Sequence, residues 1–208
     1  MNQFFHLILS PIKTASVQKI HSVVYLIFYF KTIFQESKVN VLFKFHLNIG
    51  LAELHEYLHA KGWLSKNEEV TSIEKPGDGN MNVVLRIETN QRSFILKQSR
   101  PYVQKYQEIE APLKRIGVEY LFYETVQSNA LHAHIPQILG YDAVNYVLLL
   151  EDLGDCEDMV AIYKKREINK KELRKLIFIL GLMHRTEAPK DFPQNLEMRK
   201  LNHQHIFE

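Results

Sequence analysis

A chain of 208 residues, 46% hydrophobic and 24% charged, has ordinary globular composition and is long enough for one sizeable domain or two lobes. Its formal net charge of +2 gives no reason to propose nucleic acid as a partner. The single Cys156 excludes an internal disulfide and a cysteine metal cluster, and a lone thiol fits a reducing, cytoplasmic setting.

The first 45 residues differ from the rest. No Asp or Glu precedes Glu36, and Lys13, Lys19 and Lys31 are spread among many aromatics. The apolar run 23–30 is well short of the roughly 20 residues a spanning helix needs, so a membrane anchor is not expected. A secretory signal is not evident either, because a basic start and a small-residue cleavage site are not clear. Residues 1–47 read as a leader outside the fold. It is an extension translated from upstream of the true start or a loosely attached helix, with an amphipathic surface helix and an organelle-type presequence as further readings.

From 50 to 64 the spacing of Leu51, Leu54 and Leu58 predicts a helix, with Gly62 where it should stop. The helix carries His55-Glu56-Tyr57-Leu58-His59, the His-Glu-x-x-His pattern that can place two imidazoles on one face of a zinc site. A catalytic zinc needs three protein ligands. Where the longer motif wants a third histidine the sequence has Ser65, so no metal site is assigned and zinc hydrolysis remains a distant third reading.

The glycine turn Gly77-Asp78-Gly79-Asn80 comes next, followed by the apolar runs 83–87 and 94–96 on either side of the polar turn Thr89-Asn90-Gln91. This is a β-hairpin pattern, and its returning strand ends on Lys97. Glycine permits a backbone with φ > 0 that approaches a ligand closely, so phosphates could lie under the loop and against the lysine. A Walker loop would need Gly-Lys-Ser/Thr, and a dinucleotide fingerprint would need a third glycine and a helix; Asn80-Met81-Asn82 and a strand follow instead. A glycine loop before a strand, with lysine on the next strand, is the protein-kinase arrangement. The bland alternative is a good turn and a solvated strand end.

Farther on, 113–126 reads as a helix containing Glu119 and Glu124, and 135–142 as a short strand. The apolar run from 145 reads as a buried strand that surfaces at Glu151-Asp152-Leu153-Gly154. A short helix is expected over 156–165. Asn169 is placed to N-cap a further helix, with Glu172 as its capping-box partner. From Leu173 to His184 that helix is apolar almost all round, which predicts burial in something, although very little chain follows that could bury it. A polar tail, 195–208, follows it.

In this order the elements resemble the smaller lobe, and the start of the larger lobe, of the protein-kinase-like small-molecule kinases. The nearest likeness is to the methylthioribose kinase and aminoglycoside phosphotransferase family. It is carried by Gly77-Asp78-Gly79-Asn80-Met81-Asn82, Leu96-Lys97-Gln98, Pro101-Tyr102-Val103, Leu150-Glu151-Asp152-Leu153, Leu182-Met183-His184-Arg185, Asn195-Leu196-Glu197 and Ile206-Phe207-Glu208, and it covers about 48–208. The resemblance implies an α+β fold: an antiparallel sheet plus helix over 48–153, then the first helices of a helical lobe over 154–208. It implies ATP and Mg²⁺ as cofactors and a small-molecule acceptor such as a sugar or amino sugar. The N–H groups of Gly77, Asp78, Gly79, Asn80, Met81 and Asn82 would cover the ATP phosphates. Lys97 would hold the α- and β-phosphates, kept in place by Glu119, or failing that Glu124. The adenine would meet the Glu151 carbonyl and the Leu153 amide. No His-Gly-Asp or His-Arg-Asp occurs, His184-Arg185 is followed by Thr186, and Asp191 is preceded by lysine. No catalytic residue is therefore assigned. The expectation is an inactive N-terminal fragment whose magnesium ligands and catalytic loop belong to a missing part, with a non-catalytic nucleotide-binding or interaction module as the alternative.

Overall fold

A computed structural model of the chain describes residues 50–77, 79–127, 130–155 and 160–207, all within the unit Phe43–Glu208. The leader 1–47, its run 23–30, Asp78 and Cys156 lie outside the described residues. Helix α1 (Leu51–Ala60) leads into strands β1 (Val70–Glu74), β2 (Val83–Thr89) and β3 (Ser93–Gln98), and then a small hairpin of β4 (Tyr102–Val103) and β5 (Tyr106–Glu110). Helix α2 (Arg115–Val126), a 3-10 turn (Ala130–His134), and strands β6 (Ile138–Asp142) and β7 (Val147–Glu151) follow. Three helices close the described chain: α3 (Val160–Lys165), α4 (Lys170–Arg185) and α5 (Leu196–Asn202), the last running into a π turn, His203–Phe207.

Five strands form one antiparallel sheet in the order β1-β2-β3-β7-β6. Alternation along each strand decides what each face receives. Val83, Leu85 and Ile87 of β2, Phe94 and Leu96 of β3, and Val147 and Leu149 of β7 point to one face, where Leu54, Tyr57 and Leu58 of α1 cover them. Leu148 and Leu150 point to the other face, where Ile116 of α2 meets them beside Ile95 and a group of tyrosines. β7 is thus buried on both faces, which is why its sequence is an unbroken apolar run. Each large side chain so covered contributes roughly 1.5–3 kcal/mol.

Gly62 takes φ +69°, and the N–H groups of Gly62 and Trp63 bond to the carbonyls of His59 and Leu58. This left-handed cap ends α1 where its glycine predicts. The buried face of α1 is Leu54, Tyr57 and Leu58, while Leu51 is exposed. The β2–β3 turn is closed by Thr89, whose N–H donates to the Arg92 carbonyl (2.8 Å) and whose hydroxyl accepts from the Gln91 and Arg92 N–H groups.

Three expectations need correction. The segment 101–110 holds the β4–β5 hairpin, which its mixed charged and apolar composition does not announce. The stretch expected to be a polar tail is helical from Leu196 to Phe207. Most consequentially, α4 is not buried: no residue of it is, and Ile177, Phe178 and Leu180 are more than half exposed. Its cap is as expected on the asparagine side, with Asn169 Oδ1 accepting from the Lys171 N–H at 2.8 Å. Its contacts among the described residues are mainly with the 3-10 turn, where Phe178 meets the edge of His134 at a centroid distance of 5.8 Å. Periodicity shows that a helix has apolar surface to bury; whether something covers it is a separate fact.

Candidate nucleotide site

Lys97 lies on the α2 face of the sheet, opposite Val84 of β2 and Leu148 of β7. Its Nζ is 2.7 Å from Glu119 Oε1, with both side chains about a quarter exposed. The lysine is therefore held across the strand-to-helix gap rather than solvated. Glu119 is the residue that reaches it; Glu124 instead accepts from Gln127 one turn along the helix (3.3 Å). Burial, with the Glu119 charge close by, pushes the Tyr123 hydroxyl up to about 12.

The glycine loop overhangs the same strand pair. A Cβ on Gly79 would come within 3.6 Å of Val84 Cγ2, so Gly79, Val84 and Lys97 follow one another across the sheet. Gly77 does not adopt positive φ, so at that position the turn does not use glycine for left-handed backbone. At Gly79 the absent side chain leaves the loop close to β2, and at Gly77 the backbone faces open space. Beneath the loop is a cavity of about 110 Å³ lined by Lys75, Gly77, Gly79, Asn82, Val84 and Lys105, among others. That is below the roughly 300–1,000 Å³ of a site enclosing a whole small molecule; it suits a group of phosphate size.

The loop's far end is anchored. The Asn80 carbonyl accepts from the Lys105 N–H at the tip of the β4–β5 hairpin (3.0 Å). The Met81 carbonyl and Asn82 Oδ1 both accept from Arg115 (2.7 and 2.9 Å). At the other edge, Glu151 ends β7 with its carboxylate accepting from the Gln137 N–H at 3.1 Å, and Leu153 is 56% exposed. Between them Asp152 is clasped by Arg86 of β2, at 2.9 Å from Nε and 3.2 Å from a terminal nitrogen, and Arg86 also donates to the Gly154 carbonyl. Burial opposes the Asp152 charge, but hydrogen bonds from Ser93, the Gly154 N–H and Arg86 outweigh it and hold the carboxyl below its ordinary range.

The structure thus brings Gly77, Gly79, Asn80, Met81, Asn82, Lys97 and Glu119 to one side of the sheet, with Glu151 and Leu153 at the end of β7. His55 and His59 stand apart from them on α1, their rings stacked at 6.2 Å. Among the described residues no three or more His, Cys, Asp or Glu side chains are grouped to hold a metal.

No family model matches the chain. Among curated proteins, the methylthioribose kinase of Cronobacter sakazakii is 34% identical over 104 residues, 48% of this chain and 25% of that protein. The methylthioribose kinase of Escherichia coli is 31% identical over 114 residues, 54% of this chain and 26% of its own length. That of Bacillus cereus is 27% identical over 100 residues, 48% of this chain and 25% of its own. About half of this chain is similar to methylthioribose kinases. The similarity spans about a quarter of the length of those relatives.

Two residues of the site escape a sequence reading, and both are arginines. Arg86 is the one charged side chain in the apolar run of β2, and its place on the Val84 face of the alternation is the signal that could have found it. Arg115 gives no such signal: in the first turn of a helix it reads as a solvated cation.

Proposed function

We propose that this chain carries the nucleotide-binding half of an ATP-dependent small-molecule kinase, residues 48–153 cradling the nucleotide and 154–208 beginning the helical part beside it. The observation that carries the reading is the 2.7 Å Lys97–Glu119 ion pair on the sheet face that the glycine loop overhangs. An ammonium so fixed is a positioned point charge for a polyphosphate. The α2 face of the sheet, with Val84 and Ile95 only partly covered, offers an apolar floor. The base would meet the Glu151–Leu153 connection at the end of β7. The acceptor in this reading is a hydroxyl of a sugar-like small molecule, in keeping with the names of the relatives, and the setting is cytoplasmic.

Among the described residues no three or more His, Cys, Asp or Glu side chains form a metal cage, and no phosphoryl-transfer step is derived through magnesium. A second reading, a nucleotide-binding module without turnover, is favoured by the lack of any His-Gly-Asp or His-Arg-Asp in the sequence. Calorimetric titration of ATP with magnesium into the full chain and its Lys97→Ala variant tests the first reading. A charge-assisted contact of about 1.5–3 kcal/mol predicts a Kd raised roughly ten- to a hundredfold in the variant. Equal affinities would remove Lys97 from the site. Neither reading expects ATP turnover by the wild-type chain itself, because no His-Gly-Asp or His-Arg-Asp occurs in it; measurable phosphorylation of a sugar-like acceptor would overturn both.

A further inference from the structure

Arg115 is 7% exposed, and among the described residues no carboxylate is a hydrogen-bond partner of its guanidinium. Its Nε donates to Asn82 Oδ1 (2.9 Å). One terminal nitrogen donates to the carbonyls of Arg100 (2.7 Å) and Pro112 (2.8 Å), the other to those of Met81 (2.7 Å) and Tyr102 (3.5 Å). All five N–H donors of the planar fork are thereby directed at oxygens. Two of those oxygens belong to the last residues of the glycine loop, and two to the chain leaving β3, just beyond Lys97.

Four positions separate Arg115 from Glu119, so both lie on one face of α2. One turn of helix therefore grips the glycine loop at its start and Lys97 at its end. Burial holds the Arg115 guanidinium down at about 10, the mark of a cation kept dry without a counter-ion in contact. Such a site costs free energy unless every donor is satisfied, which the five oxygens provide. The remaining positive charge stays close behind the loop.

We propose that Arg115 is a positioning residue that couples the glycine loop to the Lys97–Glu119 pair, so that loop and lysine meet the phosphates of a bound nucleotide as one unit. The inference rests on the nucleotide reading above and adds to it a residue and a division of labour. Arg115 serves the phosphates through Met81 and Asn82, and leaves the base to the Glu151–Leu153 end of the site. A residue needed only for folding would affect every ligand alike; this one selects by phosphate.

The test compares ADP with adenosine, each titrated with magnesium into the full wild-type chain and into Arg115→Lys, with thermal unfolding recorded for both proteins. Lysine keeps the charge but cannot reach five oxygens at once. The expected result is that wild type prefers ADP, and that the variant binds adenosine within about twofold of wild type while losing tenfold or more on ADP. Equal losses on both ligands, or none on either, overturn the proposal. Should Arg115→Lys fail to fold, Asn82→Ala removes the loop's side-chain oxygen and leaves the four carbonyl contacts in place. A loss of threefold or more confined to ADP is then expected, and an unchanged ADP-to-adenosine ratio overturns the proposal. Wild type that binds neither ligand overturns the nucleotide reading itself, an outcome distinct from binding with an unchanged ratio.

Discussion

Helices α2 and α4 make an instructive pair. The 12-residue α2 is interrupted by Gly117, Glu119 and Glu124, yet it buries Ile116, Val126 and even Arg115. The 16-residue α4 carries a longer apolar series, Leu173, Leu176, Ile177, Phe178, Leu180, Leu182 and Met183, and buries none of it. The difference lies in what faces them: α2 lies against β7, whose Leu148 and Leu150 project from that face of the sheet, whereas among the described residues α4 touches chiefly a short 3-10 turn. Composition sets how much a helix can gain by burial, and its neighbours set how much it does gain.

The sharpest way to break that comparison is to make one substitution in both regions. Phe94 is fully buried in the sheet and Phe178 is 53% exposed on α4. Phe94→Ala is expected to cost about 3–5 kcal/mol, and Phe178→Ala within about 0.5 kcal/mol, read from urea unfolding midpoints. A large loss at Phe178 would show α4 to be packed after all.

A smaller contrast comes from glycine, where even the sign should differ. A Cβ on Gly140 in β6 would sit within 2.4 Å of the Trp63 indole, and that ring is wedged edge-on against Tyr57 (5.9 Å). Gly140→Ala is expected to destabilise by about 1–3 kcal/mol through overpacking. In α4 a Cβ on Gly181 would meet nothing nearer than an Arg185 nitrogen at 3.9 Å, so Gly181→Ala should stabilise by about 0.5–1 kcal/mol. Thermal unfolding of the two variants moving in the same direction would refute the contrast.

A further contrast is a pH dependence on the sheet side. Glu68 is buried, which opposes its charge, yet bonds from Arg92, the Ser65 N–H and Thr89 lower its carboxyl from 4.5 to about 2. A carboxyl held lower in the folded protein contributes stability above its unfolded value and loses it as pH falls. The deficit of Glu68→Gln relative to wild type should therefore be full at pH 7 and shrink steadily between about pH 4.5 and 2. A deficit independent of pH would mean that charge is not what Glu68 supplies.

Much of the sheet was legible from its apolar runs, Val83-Val84-Leu85-Arg86-Ile87 and Phe94-Ile95-Leu96, joined by a polar turn; which of those side chains face α1 is what the fold adds. The cap of α1 was legible at Gly62, and the apolar run of β7 at Leu148, Leu149 and Leu150. The β4–β5 hairpin was not, since two residues make no period and Tyr106-Gln107-Glu108-Ile109-Glu110 reads as a charged surface stretch. Within the site, Lys97 and Glu119 stand out by pattern and by the family likeness. Arg115 does not, because its oxygens come from five separate positions that only the fold gathers. Backbone carbonyls leave no trace in a sequence.

The wiring of the sheet also sets an order of assembly. β1, β2 and β3 are joined by local connections and can pair as soon as they are made, but the other edge of β3 belongs to β7, which arrives only after β4, β5, α2 and β6. Until then Phe94, Ile95 and Leu96 border an unpaired edge, the kind of template that recruits strands from other chains. During synthesis the meander therefore waits for β7 with that edge open. Asp142 eases the final step. It gathers Tyr57 of α1 and Lys61 at its C-cap together with Asn145 and the Val144 N–H in the β6–β7 turn. The late-made turn is thereby drawn to the first helix among the described residues, and β7 is carried into its gap.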